Sequence, residues 1–293
     1  NLRKVPTQGI MFGHHDDPLY GVGWEGDEDR SDVKSVCGDY PAVMSFDLGH
    51  IELEREKSLD NVPFRKIRQE TINQYKRGGV VSFSWHLDNP LTGKDAWDVS
   101  DTTVVASILP GGVHHAKFIS WLDAVAAFMN TLETEEGTKI PVIFRPWHEH
   151  TGSWFWWGQN LCTADQYKAL WRMTHDRMHA RGVKNLLYAY SPGSEPKDST
   201  AYLERYPGDD IIDLVGFDTY QFDRTQYMEQ LDKSLAILTE VGKAHDKPIA
   251  ITETGFEAIP DSVWWTQTLY PVISKYPISY VLVWRNARER VNH

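Results

Sequence analysis

Cysteine is scarce in this sequence, and long apolar runs and long basic runs are absent. Only two of the 293 residues are cysteines, Cys37 and Cys162, which excludes a disulfide-built scaffold and a cysteine-rich zinc site. No apolar run approaches the ~20 residues of a membrane-spanning helix, so no membrane span is expected. Residues 1–20 show no signal-peptide pattern, and any export signal is expected to be absent or already removed.

The charge balance is acidic. The chain carries 30 basic and 41 acidic residues, a formal net charge of −11, and no run of Lys or Arg is longer than two. Such a surface repels polyphosphate backbones, so no nucleic-acid partner is expected. The two cysteines are compatible with one bridge or with two thiols, and the oligomeric state cannot be read from the sequence.

What the chain does have is a regular succession of short apolar segments rich in Val, Ile, Phe and Tyr. Segments of this length and composition are typical of buried parallel strands. We predict eight, at residues 10–13, 42–47, 80–85, 141–145, 186–190, 214–218, 249–252 and 280–284.

Helical periodicity separates most of these strands. It is strongest over residues 64–75, 118–132, 167–178 and 231–238, and Thr163 with Gln166 forms a capping-box pattern before the third of them. Eight strands alternating with helices predict a single-domain α/β protein over residues 1–293, a (β/α)8 TIM barrel. A doubly wound sheet is the alternative, but no glycine-rich nucleotide fingerprint supports it. Residues 286–293 are too few for a full closing helix, which we expect to be incomplete.

Polar residues follow the predicted strands, where barrel enzymes place their active sites. Glu149 follows the fourth strand and Glu253 follows the seventh. A charged group directly after an apolar strand is costly unless pairing or function supports it. Two carboxyl groups facing one cleft are typical of glycoside hydrolases, in which one acts as the acid and the other as the nucleophile.

Several segments together resemble one enzyme family. Residues 145–158 read Arg-Pro-Trp-His-Glu-His-Thr-Gly-Ser-Trp-Phe-Trp-Trp-Gly, and further matching segments lie at residues 38–42, 84–86, 216–220, 252–255 and 284–286. In type and order they resemble the signature of glycoside hydrolase family 26, the β-mannanase family of retaining barrel glycosidases. The resemblance spans about residues 9–286, nearly the whole chain.

The resemblance implies a role for individual residues. Glu149 matches the family's acid/base, Glu253 its nucleophile, and Tyr220 the tyrosine that donates a hydrogen bond to the nucleophile. The residues it implies in substrate binding are His86, His148, Trp154, Tyr220, Trp284 and Arg285. The physical reading agrees, because the rings around Glu149 would raise its pKa and a tyrosine hydroxyl would favour the ionised form of Glu253.

No cofactor or metal is expected. The run from His148 to His150 lacks the helical spacing of a zinc protease motif. The run from His14 to Asp17 is interpreted as loop polar groups near sugar hydroxyls rather than as a cation site.

The implied activity is double-displacement hydrolysis of β-1,4-mannosidic bonds in mannan, galactomannan or manno-oligosaccharides. Endo-action and release of mannobiose both remain open, since the loops at residues 49–63 and 87–114 are long enough to wall the cleft. Alternatives are a lichenase-type β-1,3-1,4-glucanase and a non-catalytic polysaccharide-binding barrel. A polysaccharide substrate implies an extracellular, cell-surface or periplasmic location.

Overall fold

Eight parallel strands close into a barrel in the computed structural model, which describes residues 2–288. Neighbours in the chain are neighbours in the barrel, and the last strand pairs with the first from Met11 opposite Tyr280 to His14 opposite Val283. The strands are β1 (Met11–His15), β2 (Val43–Asp47), β3 (Val80–Ser84), β4 (Val142–Arg145), β5 (Leu186–Tyr190), β6 (Leu214–Gln221), β7 (Ile249–Phe256) and β8 (Tyr280–Val283). The predicted (β/α)8 barrel is confirmed.

Helices connect the strands on the outside. They are α1 (Asp32–Cys37), α2 (Phe64–Lys76), α3 (Val104–Ile108), α4 (His115–Asn130), α5 (Ala164–Ala180), α6 (Ser199–Leu203), α7 (Arg224–Ala244) and α8 (Tyr270–Ile273). The predicted capping box is present, since the Thr163 hydroxyl accepts from the Gln166 amide and the Gln166 side chain accepts from the Thr163 amide. These bonds satisfy donors that the first turn leaves open.

Shorter elements complete the chain. They are 3-10 turns at Leu2–Thr7, Ile51–Leu53 and His150–Gly152, a π-helical turn at Trp265–Leu269, and a two-stranded hairpin of Tyr20–Gly21 with Trp24–Glu25. Residues 286–288 form no helix, and residues 289–293, on which the expectation about the closing helix also rests, lie outside the described residues.

The apolar core has two parts. The larger part packs the helices against the barrel, and the smaller gathers inward residues of β2 and β4–β8, among them Val43, Ile143, Leu214 and Leu282. Gly13 of β1 is needed here, because a Cβ at this position would lie 3.0 Å from the Val43 Cβ. The barrel is therefore solid beneath its carboxyl end.

Two further expectations can be compared with the structure. Cys37 is exposed and Cys162 is buried, and both are free thiols. None of the helices within residues 2–288 combines the length and the apolar character needed to cross a bilayer.

Candidate active site

A cleft of about 730 Å³ lies at the carboxyl ends of the strands. Seven of the eight predicted site residues line it: His86, Glu149, Trp154, Tyr220, Glu253, Trp284 and Arg285. The eighth, His148, is fully buried and lies behind the cleft wall. The topology thus brings together side chains that are far apart in the sequence.

The backbone after β4 directs Glu149 into the cleft. Trp147 and Glu149 adopt left-handed backbone conformations, with φ of 58° and 53°, which residues other than glycine rarely adopt. The turn is held by the Tyr167 hydroxyl, which donates to the Trp147 carbonyl at 2.6 Å, and by the Glu149 amide, which donates to the Ser191 carbonyl at 2.8 Å. The Trp154 indole N–H donates to the Glu149 carboxylate at 2.7 Å.

Buried indole rings form the floor beneath this turn. Trp147 packs against Trp85, Trp156 and Trp157 with ring centroids 5.5, 5.7 and 5.7 Å away. All four side chains are fully buried. Trp156 and Trp157 are not among the residues that line the cleft, so both pack in the floor. The turn that carries Glu149 therefore rests on apolar surface.

Glu253 is placed by an irregularity in β7. The pairing register between β6 and β7 shifts after Phe217, so that Asp218 lies opposite Glu253. The Glu253 carboxylate accepts from the Arg145 guanidinium at 2.6 Å and from the Tyr220 hydroxyl. Both strands continue past their predicted ends, so Tyr220 and Glu253 lie within strands rather than after them.

Arg145 and Asp218 connect the two glutamates. One oxygen from each of Glu149, Asp218 and Glu253 lies within 4.8 Å of the others. The Arg145 guanidinium bridges Asp218 and Glu253, and all four side chains are buried. Three carboxyl groups could hold a metal ion, but here the guanidinium already supplies the positive charge.

The two glutamates face different electrostatic surroundings. Burial raises the pKa of Glu149 well above its ordinary value, and the negative charges of Glu253 and Asp218 add to that shift. Burial also raises the pKa of Asp218, to about 7, although Arg145 opposes the shift. Glu253 receives two strong donors. Glu149 is consequently suited to hold a proton, whereas hydrogen bonds from Arg145 and Tyr220 fix the position of the Glu253 carboxylate.

A chain of polar side chains supports the wall opposite. Asp47 lies 2.6 Å from His86 Nδ1, and His86 Nε2 lies 3.0 Å from His148 Nε2. Burial opposes protonation of His86, but the Asp47 carboxylate outweighs it and raises the pKa of His86. Burial, with Arg145 nearby, holds the pKa of His148 well below its usual value. His86 therefore links Asp47 to His148, whose predicted sugar contact stays a prediction.

Two aromatic arms extend from the carboxylate pair. In the first, called the Trp284 arm, Trp284 stacks on His15 with centroids 3.8 Å apart, and the Arg285 guanidinium lies 3.5 Å from Asp60. In the second, called the Trp154 arm, Trp154 and Phe222 expose 40% and 96% of their surface. Exposed rings in a cleft are suited to stacking on sugar faces.

Sequence reasoning did not assign roles to Arg145, Asp218, Asp60 or Phe222. For Arg145 and Asp218 a signal existed, because each is a charged residue in an otherwise apolar strand. Asp60 and Phe222 lie in loops, where no pattern in the sequence distinguishes them.

Comparison with known proteins identifies a family and a similar solved structure. A family model described as Glycosyl hydrolase family 26 matches residues 1–281. Among solved structures, a GH26 beta-mannanase from Bacteroides ovatus is 64% identical with a TM-score of 0.98, over 98% of this chain and 84% of that one.

Two curated relatives are more distant. A mannan endo-1,4-beta-mannosidase from Bifidobacterium adolescentis is 39% identical over 77% of this chain. Mannan endo-1,4-beta-mannosidase A and B from Caldalkalibacillus mannanilyticus is 28% identical over 97% of it. The chain spans about a quarter (24%) and about half (53%) of the lengths of these relatives.

Proposed function

We propose that this chain, which belongs to glycosyl hydrolase family 26, is a retaining, endo-acting β-1,4-mannanase. The observation that carries the proposal is the pair Glu149 and Glu253, buried at one cleft with carboxylate oxygens within 4.8 Å of each other. Retaining glycosidases hold their carboxyl groups ~5–5.5 Å apart, and inverting ones leave a wider gap for water. The names of the relatives support mannan as the substrate.

In the first step, protonated Glu149 donates its proton to the glycosidic oxygen as the bond to C1 breaks. The Glu253 carboxylate attacks C1 from the opposite face, and a covalent glycosyl-enzyme forms. Arg145 and Tyr220 hold the attacking carboxylate in place through their hydrogen bonds. The raised pKa of Glu149 supports its assignment as the acid.

In the second step, the product sugar leaves and a water molecule takes its place. Glu149, now ionised, removes a proton from that water, the oxygen attacks C1, and Glu253 is released as a carboxylate. Two inversions at C1 return the original β configuration. The enzyme ends with the proton on Glu149, ready for another turnover.

Endo-action is supported by the cleft on both sides of the carboxylate pair. The Trp284 arm lies on one side, and the Trp154 arm continues through Phe222 on the other. A cleft lined on both sides of the bond being cut suits an internal segment of a chain. Because polymeric mannan does not enter cells intact, we place the enzyme outside the cytoplasm.

The test is hydrolysis of linear β-1,4-mannan by the wild type, Glu149→Ala and Glu253→Ala, with product sizing and NMR of the first anomer released. We expect mixed oligosaccharides, initial β anomers, and a loss of about 10³-fold or more in each variant. The matched control is Glu52→Gln, since Glu52 is also buried but its carboxylate accepts from Trp85 and the Asp88 amide and does not line the cleft. It should keep wild-type activity.

Each alternative outcome contradicts a different part of the proposed function. Mannobiose as the sole early product would overturn endo-action, and initial α anomers would overturn the retaining mechanism. Cleavage of mixed-linkage β-glucan with none of mannan would overturn the substrate. An equal loss in Glu52→Gln would overturn the assignment of the two glutamates.

A further inference from the structure

A second group of ligand-bearing side chains lies beside the Trp284 arm, outside the catalytic pair. One donor atom from each of His15, Asp16 and Asp60 lies within 4.8 Å of the others. All three side chains are at least nine-tenths buried. His15 ends β1, Asp16 follows it directly, and Asp60 belongs to the loop after β2. The group therefore joins two loops at the edge of the cleft.

Two polar atoms of this group lack a hydrogen-bonding partner. His15 Nε2 and Asp16 Oδ1 are buried without a hydrogen bond. Leaving a buried polar atom unpaired is unfavourable, and native proteins do so rarely without a reason. Two such atoms in one buried group are suited to receive a ligand.

The imidazole of His15 is prepared to act as a ligand. Its Nδ1 lies 2.5 Å from the Ser45 hydroxyl, and its ring stacks on Trp284. When Nδ1 carries the proton and donates to Ser45, the Nε2 lone pair is free, and it points toward Asp16 Oδ2 at 3.6 Å. Metal-binding histidines are oriented by a bond of this kind.

We propose that His15, Asp16 and Asp60 bind a divalent transition-metal ion of the Zn²⁺ type. One imidazole nitrogen with two carboxylates suits zinc, whereas Ca²⁺ and Mg²⁺ take oxygen ligands. Tetrahedral zinc with bonds of ~2.0–2.1 Å sets its ligand atoms about 3.4 Å apart. The His15–Asp16 separation of 3.6 Å is close to that spacing, and an Asp60 oxygen lies within 4.8 Å of both donor atoms. Two carboxylates balance the charge of the ion.

Arg285 is a cation that competes with a metal ion for the Asp60 carboxylate. Its guanidinium lies 3.5 Å from Asp60, and the Arg288 guanidinium donates to the Asp60 carbonyl. Neither satisfies His15 Nε2 or Asp16 Oδ1. A bound ion would draw Asp60 toward His15 and leave Arg285 freer to contact the substrate. It would also tie the loop after β1 to the loop after β2.

The experiment is a calorimetric titration of the metal-free protein with ZnCl₂, accompanied by thermal melting. We expect one zinc per chain at this site and, at a hundredfold excess over Kd, a rise of roughly 5 °C in Tm. His15→Gln and Asp16→Asn should each weaken binding at least ~10-fold. Co²⁺ in place of zinc should give the visible absorption of a low-coordinate site, and both substitutions should remove it.

Two control variants separate this site from its neighbours. Asp17→Asn changes the adjacent carboxylate outside the group, and Glu149→Gln disarms the catalytic carboxylates, the other candidate ligands. Both should bind zinc as the wild type does. The proposal is overturned if the wild type does not bind zinc, if His15→Gln and Asp16→Asn bind unchanged, or if only Glu149→Gln loses the ion. Because the readouts are binding and melting, they do not depend on hydrolysis.

Discussion

Two groups of three buried ligand-bearing side chains lie at the same end of the barrel, and they differ in what stands among them. In the first group, Glu149, Asp218 and Glu253, the Arg145 guanidinium pairs with Asp218 and Glu253. In the second group, His15, Asp16 and Asp60, the atoms His15 Nε2 and Asp16 Oδ1 have no hydrogen-bonding partner. Among residues 2–288, the buried side-chain atoms without a partner include none from Glu149, Asp218 or Glu253. A complete polar network is fixed before substrate arrives, while an incomplete one is suited to receive a ligand.

The strongest way to break the comparison is to remove Glu253, the proposed nucleophile. Glu253→Ala should reduce kcat by about 10³-fold or more, because no covalent intermediate can form. Added azide should restore turnover and give a product of inverted configuration, since the small anion occupies the emptied space and attacks C1 from the same face. NMR of the glycosyl azide measures this. Rescue with retained configuration would show that Glu253 is not the nucleophile.

The next largest effect is expected from removing the central cation. Arg145→Met leaves Asp218 and Glu253 buried beside each other without their shared donor. Breaking a buried ion pair on one side costs about 3–5 kcal/mol, and denaturant unfolding should show a loss of that size. Arg177→Met, which breaks the half-exposed pair with Asp123, is the control and should cost about 1 kcal/mol or less. Equal losses would contradict the special position of Arg145.

A smaller effect on rate, with a clear effect on pH dependence, is expected for Asp218→Asn. Burial raises the pKa of Glu149 first, and the negative charges of Glu253 and Asp218 raise it further. Removing one of these charges lowers the pKa of Glu149, so the acid loses its proton sooner as pH rises. The alkaline limb of kcat/KM against pH should therefore move to lower pH. A limb that stays in place would show that Asp218 does not act on the acid.

The smallest effect, of opposite sign, is expected for Trp154→Phe. The indole N–H of Trp154 stabilises the ionised form of Glu149 and lowers its pKa. Phenylalanine keeps a ring on that wall but has no N–H, so the alkaline limb should move to higher pH with a rate loss of about 10-fold or less. Trp97→Phe, which alters a cleft ring without a bond to Glu149, should leave the limb in place. Movement to lower pH would contradict the assignment.

Much of the fold was accessible from the sequence. The eight strands were predictable because apolar β-branched and aromatic runs repeat with helical segments between them. The ends of β6 and β7 were not, since Thr219, Gln221 and Thr254 are polar residues whose strand pairing depends on tertiary neighbours. The turn after β4 was equally unpredictable, because neither Trp nor Glu is a residue type that favours the left-handed backbone found at Trp147 and Glu149.

The site was predictable in part for a similar reason. Both glutamates stand out as charges after apolar strands, and the topology then brings them together. His86 reaches the cleft, whereas His148 lies behind it and contacts His86. Composition does not encode which of two histidines reaches the cleft. The contact of Asp60 with Arg285 depends on the path of a loop, so only the structure reveals it.

The left-handed turn at Trp147 and Glu149 also has a consequence for inheritance and engineering. Two unfavourable backbone conformations are supported by the rings of Trp85, Trp156 and Trp157 packed beneath them, together with the hydrogen bonds to Tyr167 and Ser191. Single substitutions in this segment remove the support without removing the strain. Residues 145–158, together with Trp85, should therefore move between homologous barrels as one block. Chimeras that divide the block are expected to fold with the catalytic acid misdirected.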